Sequence, residues 1–213
     1  MMKENERIED FLEALRENSP AFGVRLSGEQ EKRLGDYYRI VGQWNARLHL
    51  VAPCTAQEFA VRHVLESLVA LPFLSSEALV LDVGSGAGLP IIPCLVMRSG
   101  IRATLIEASQ KKAVFLREAL RQVEASARAT VVAKRFEETF APEADFVTIR
   151  AIERFTEKFP ELVEWSPPSS RLLFFGGPSL QAEIEKAALS YESVLIPESE
   201  RRFLFVIDSR VKK

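Results

Sequence analysis

The stretch Leu79–Pro93, LVLDVGSGAGLPIIP, begins as an apolar run interrupted only by Asp82 and then places glycines at 84, 86 and 88. Glycine lacks a β-carbon, so it tolerates positive φ and lets a ligand approach the main chain closely. A buried strand that runs through such a loop into a helix is how an open α/β sheet builds a ligand crevice at the strand's carboxyl end. The helix that follows turns its free N–H groups and the positive end of its dipole toward the same place.

The pattern on either side of this stretch differs. Toward the C-terminus, strands and helices alternate. Strands are expected at Ala78–Val83, Arg102–Glu107, Ala129–Ala133, Asp145–Ile149 and Arg171–Phe175. Between and after them, helices are expected from the glycines to about Arg98, at Gln110–Glu124, at Ile152–Trp165 and at Ser179–Ser190. Tyr191–Pro197 and Arg202–Asp208 read as an antiparallel hairpin closed by the PESER turn. Toward the N-terminus the period is helical. Ile8, Phe11, Leu12 and Leu15 form an i, i+3, i+4, i+7 stripe. Ser27 with Gln30, and Thr55 with Glu58, have the spacing of capping boxes that open two further helices.

Alternating strands and helices argue for a mostly parallel α/β sheet of the Rossmann-like kind, and nearly uninterrupted strands such as ALVLDV suit burial on both faces. The expectation is a helical N-terminal extension over residues 1–75, packed as a cap on a Rossmann-like domain over residues 76–213.

Composition restricts the function classes. The 213 residues are 47% hydrophobic and 27% charged, enough to bury a core without disulfides. Cys54 and Cys94 have neither CxxC spacing nor nearby histidines, so no metal site is expected. The N-terminus is charged where a secretory signal would be apolar, and no apolar run reaches membrane-spanning length. A cytoplasmic protein, monomeric and away from the membrane, is the expectation. The net charge of −2 gives no sign of a nucleic-acid partner.

The glycine loop discriminates between ligands. A dinucleotide loop would put its third glycine where Leu89 stands, and a P-loop would close on Gly-Lys-Ser/Thr where this one closes on Gly-Leu-Pro. Asp82, two positions before Gly84, is unwelcome beside a pyrophosphate and useful beside a cationic amino-acid group. This arrangement resembles the first motif of class I S-adenosylmethionine-dependent methyltransferases. There Asp82, Gly84 and Gly86 would hold the cofactor, and Glu107, ending the next strand, would accept its ribose hydroxyls.

A longer series of segments occurs in one order: WNARLHL (44–50), VRHVLESLVALPFL (61–74), the glycine stretch, LIEASQKKAVFLREAL (105–120), KRFEE (134–138) and IRA (149–151). Together they resemble the bacterial small-subunit ribosomal RNA guanine-N7 methyltransferases, also called glucose-inhibited division protein B, over about residues 25–177. The resemblance implies methyl transfer from S-adenosyl-L-methionine to N7 of a guanine in the decoding-region loop, with small-subunit ribosomal RNA or the ribosomal particle as partner. It places cofactor contacts at Gly84, Leu89, Phe136, Glu137 and Arg150. Guanine N7 carries an in-plane lone pair, so no general base is expected. Arg150, at a strand end, is expected to orient the reactants, as a polar residue at the crevice mouth with little part in packing.

Lys111 and Lys112 start a helix beside the crevice, against its dipole, and are candidates for RNA phosphate. His63, on one helical face with Glu66, either lines the substrate side or belongs to a packing pair. Trp44 and Asn45 are expected to fix the cap to the sheet, Cys94 to be buried packing, and the basic tail Arg210–Lys213 to be solvated. The chain departs from the family's pattern at His49-Leu50-Val51, at Ile149, and at Phe175, where a lysine usually precedes the glycine. Two other readings stay open beside RNA methylation: a non-catalytic S-adenosylmethionine-binding interaction protein, and a small-molecule methyltransferase. A basic rim at the crevice favours RNA, and an enclosed apolar pocket favours a small substrate.

Overall fold

The computed structural model describes residues 2–150 and 155–212, with the side chains of 2–5 and 209–212 outside that description. The expected helix start at Ile152, the Ala151 of the IRA segment and the side chains of Arg210–Lys213 therefore lie outside the described residues. Two long helices come first, α1 (Met2–Asn18) and α2 (Gly28–Leu48). Ser27 and Gln30 form the reciprocal cap of α2, and Thr55 and Glu58 do the same for α3 (Ala56–Phe59). A π-helical segment, Ala60–Leu65, joins α3 to α4 (Glu66–Leu68), so residues 56–68 form one rod with a widened middle.

The α/β part follows as β1 (Leu79–Val83), α5 (Ile91–Met97), β2 (Arg102–Ile106), α6 (Gln110–Gln122), β3 (Ala129–Val132) and β4 (Phe146–Ile149). It is completed by α7 (Phe155–Trp165), β5 (Arg171–Gly176), α8 (Pro178–Lys186), β6 (Leu189–Leu195) and β7 (Phe203–Lys212). The seven strands lie in the order β3-β2-β1-β4-β5-β7-β6. All neighbours are parallel except β7, which is antiparallel to both β5 and β6.

The expected elements are present, with shifted ends. α8 stops at Lys186 and β6 starts at Leu189, so the last helix is shorter and the hairpin longer than the apolar pattern suggested. Ala188 carries the reversal, in the left-handed region at φ 52°.

Strand parity decides what meets what, because successive side chains point to opposite faces. Val80, Phe146, Leu173 and Phe175 belong to a core shared with residues from Phe11 to Leu74, so the N-terminal helices and one face of the sheet are packed continuously. Leu81, Val83, Val147, Ile149, Leu172 and Phe174 point the other way, toward α7 and α8. Asp82, Thr148 and Arg150 share the parity of Val80 and Phe146. They therefore come out on the face covered by the N-terminal helices.

Candidate active site at the carboxyl ends of the strands

The strand order reverses between β1 and β4, and the site forms there. Register sets Asp82 of β1 opposite Thr148 of β4. Asp82 is 1% exposed; its Oδ1 accepts the Thr148 hydroxyl at 2.7 Å, while Oδ2 is buried with no partner among the described residues. Burial pushes this carboxyl up to about 7, opposed by the Ser85 and Thr148 hydroxyls, which favour the ionised form, and aided by the nearby Glu107 carboxylate. A buried carboxylate with one oxygen unsatisfied costs free energy unless a cationic group or donor is supplied from outside. The ammonium of an amino-acid moiety meets that need.

The glycine loop is tied down from three sides. The Gly84 and Ser85 N–H groups both donate to the Ile106 carbonyl, at 2.8 and 3.2 Å. Glu107 Oε2 accepts the Gly86 N–H and its Oε1 accepts the Ser109 N–H, each at 2.8 Å. Tyr37, fully buried in α2, donates its hydroxyl to the Ala87 carbonyl at 2.8 Å. Glu107, directly after β2, thus braces the loop, and its carboxylate keeps lone pairs for two ribose hydroxyls.

The three glycines have different tasks. All three lie at positive φ, at 69°, 52° and 88°. A β-carbon on Gly88 would fall 2.3 Å from Ile92 Cδ1, whereas one on Gly86 would meet only the Gly84 carbonyl, at 3.7 Å. Gly88 serves the packing of the loop on α5, and Gly86 leaves open space. Leu89, half-buried, packs against the core shared with the N-terminal helices.

Phe136 and Glu137 lie in a single 3-10 turn, Phe136–Glu138, following β3. The Phe136 ring is buried edge-on to Trp165 with centroids 5.5 Å apart, and Lys158, whose ammonium lies 5.2 Å from that ring's centroid, pairs with Glu137. Aspartate, glycines, Glu107 and the Phe136 side of this turn are compatible with S-adenosylmethionine: a cationic end, a ribose and an adenine ring each have a matching group.

Arg150 occupies a different place from the one expected. Its guanidinium donates to the His63 carbonyl at 2.8 Å, the Ser67 hydroxyl at 2.7 Å and the Arg62 carbonyl, and it pairs with Glu66 Oε2 at 3.2 Å. The expectation of a polar residue at the crevice mouth with little packing is corrected: Arg150 locks the end of β4 to the rod of residues 56–68. Glu66, 3% exposed, also pairs with Arg202 of β6–β7's connecting turn at 2.7 Å through Oε1. One buried carboxylate therefore joins the N-terminal rod, β4 and the hairpin.

His63 sits edge-on to Phe59 with centroids 5.2 Å apart, and its imidazole is held down to about 4, first by burial and then by Arg150 and Arg62. It is neutral at physiological pH. Lys111 is exposed and Lys112 half-buried at the start of α6; neither makes an ion pair among the described residues. Phe175 lies under Arg150, whose guanidinium carbon is 5.8 Å from the ring centroid, so a cation remains where the expected lysine is missing. Cys94 is buried and donates its thiol to the Ser67 carbonyl at 3.6 Å. Among the described residues no group of three His, Cys, Asp or Glu side chains could hold a metal ion.

Thr148, Tyr37, Ser67 and Arg202 escaped the sequence reading. Thr148 could have been found, since it stands two residues before Arg150 in a strand that must neighbour β1. Arg202 carried no signal.

Comparison with known proteins gives a consistent picture. Residues 30–203 match the family model described as rRNA small subunit methyltransferase G. The Ribosomal RNA small subunit methyltransferase G of Gluconobacter oxydans is 36% identical over 170 residues, covering 78% of this chain and 84% of that protein. The protein of the same name from Neisseria gonorrhoeae is 35% identical over 165 residues, covering 78% and 76%. Among solved structures, an RNA methyltransferase from Salinibacter ruber in complex with S-adenosyl-L-homocysteine is similar at TM-score 0.53. It has 16% identity and covers 68% of this chain and 88% of that one. An M1A22 tRNA methyltransferase of B. subtilis is similar at TM-score 0.55, with 12% identity and coverage of 67% and 64%. At such identities these structures speak for the fold alone.

Proposed function

The chain belongs to the rRNA small subunit methyltransferase G family, and on that premise we propose that it methylates N7 of a guanine in the decoding-region loop of small-subunit ribosomal RNA. Its cofactor is S-adenosyl-L-methionine, which supplies a methyl group on a sulfonium. The observation that carries the reading is the buried, unpartnered Oδ2 of Asp82 at the end of β1, beside a loop braced by Glu107.

The residues divide the work. Asp82 takes the cationic end of the cofactor, Glu107 the ribose, and Phe136 and Leu89 the apolar ring. Guanine N7 needs no proton removed, so the site has to align two reactants rather than move a proton. The neutral, half-buried His63 agrees with that requirement. Arg150 acts as a positioning residue by holding the end of β4 against residues 62–67, where cofactor and base must be aligned. Exposed Lys111, Lys134 and Arg135 follow β2 and β3 at the same edge of the sheet and offer cations to RNA phosphate, with exposed Glu137 and Glu138 just beyond them. No helix among the described residues is long and apolar enough to cross a membrane.

The test is genetic and chemical. Small-subunit RNA from a strain lacking this gene should lose one 7-methylguanosine. The wild-type gene should restore it and Asp82→Asn should not. Retention of every 7-methylguanosine in the deletion strain would refute the assignment.

A further inference from the structure

We infer that the groove between α2 and α6 is a second RNA-binding surface, which takes single-stranded nucleotides flanking the target guanine. This rests on the RNA reading above. The two helices run antiparallel. Arg33, near the start of α2, pairs with Glu124, just past the end of α6, at 2.7 Å. Trp44, in the last turns of α2, meets Phe115, in the second turn of α6, with ring centroids 6.1 Å apart. The end of α2 and the start of α6 therefore come together at the carboxyl edge of the sheet, beside the crevice. The groove runs from that edge, with Trp44 and Val114 as its apolar floor.

Two features identify the occupant. The first is Val114, 51% exposed although it sits in an amphipathic helix whose other large apolar residues, Phe115, Leu116 and Leu120, are buried. With half-buried Trp44 it leaves an apolar surface uncovered. The second is the distribution of charge along the groove. At the far end the arginines are neutralised: Arg33 pairs with Glu29 and Glu124, and Arg121 with Glu118. Toward the crevice, Arg47, Lys111 and Arg117 make no ion pair among the described residues, and Arg117 is steadied by donating to the Val131 carbonyl at 3.2 Å. Helical spacing sets Arg47 on the Trp44 face of α2 and sets Lys111 and Arg117 on the Val114 face of α6. An aromatic and aliphatic floor bordered by cations that no carboxylate neutralises is the equipment of a single-strand site, with bases on the floor and phosphates on the cations. A protein partner would favour an interface centre depleted of charge. The net charge of −2 is no obstacle, because the field that matters is local.

The test compares Val114→Glu, which puts a negative charge on the exposed floor, with the double variant Arg47→Gln/Arg117→Gln. The control is Arg16→Gln/Arg25→Gln, which changes net charge equally on exposed residues elsewhere. The probes are protein-free small-subunit RNA and the assembled small subunit. Both groove variants should bind the RNA at least tenfold more weakly, with melting temperature and S-adenosylhomocysteine affinity unchanged, and the control should bind as wild type. The double variant should also flatten the dependence of log affinity on log salt by about 1.4, at about 0.7 per single-strand phosphate. Unchanged RNA affinity and salt slope in both variants, with wild-type methylation intact, would overturn this inference alone. Wild-type protein that neither binds nor methylates RNA would overturn it together with the reading beneath it. Variants that lose affinity for the assembled subunit but not for protein-free RNA would make the occupant a ribosomal protein, which also overturns it.

Discussion

Asp82 is the residue on which most depends, and its protonation makes it measurable. Its carboxyl rises from 3.8 to about 7 on folding. Between those values the folded chain keeps a proton that the unfolded chain has released, so stability falls as pH rises from about 4 to about 7 and is level above. Asp82→Asn cannot ionise and escapes this loss. Without cofactor, its melting temperature should exceed that of wild type by a margin that grows over that interval and then stays constant. A constant margin at every pH would contradict the assignment. Cofactor affinity should move the other way, rising with pH toward 7 in the wild type and lying at least tenfold lower in Asp82→Asn, as calorimetry would show. His63, held down to about 4, should add no limb near pH 6.5 to the turnover rate at saturating cofactor. A bell-shaped profile there would return an acid–base role to it.

At the scale of elements, two pieces of backbone carry the site, and each has a discriminating experiment. In the glycine loop, Gly88→Ala should lower stability well beyond the about 1–2 kcal/mol of left-handed strain, because its β-carbon meets Ile92 at 2.3 Å. Gly86→Ala should lose only about that strain energy while cofactor affinity falls more than tenfold. Chemical denaturation and calorimetry on the pair separate packing from ligand space. In the rod of residues 56–68, Arg150→Ala strips a buried carboxylate of one of its two arginines. It should cost about 3–5 kcal/mol of stability in a urea titration, where an unchanged midpoint would refute the lock described for β4. Much of this was legible in the chain. Capping boxes and strand-loop-helix punctuation are local, so α2, α3 and β1 could be read directly. The partners of Arg150 could not be, because Ser67 and Glu66 reach it, and Arg202 reaches Glu66, only through tertiary packing. The π-helical widening that turns the His63 and Arg62 carbonyls toward Arg150 has no local sequence signature either.

For the molecule as a whole, the parity of the central strands explains why the N-terminal helices belong to the site. Asp82, Thr148 and Arg150 emerge on the face that those helices cover, and Tyr37 reaches from α2 to the glycine loop. Sequence patterning anticipated the parallel sheet and the cofactor crevice. A helical cap packed on the sheet is also part of that reading, but which residues join it to the sheet in one continuous core depends on contacts between residues far apart in the chain. The measurement that bears most directly on the whole account uses purified protein, S-adenosylmethionine and unmethylated small-subunit RNA, followed by digestion to nucleosides and mass spectrometry. The account predicts one 7-methylguanosine per RNA molecule. Methyl groups found on an exocyclic amine, an adenine or a cytosine, or no transfer at all, would contradict it.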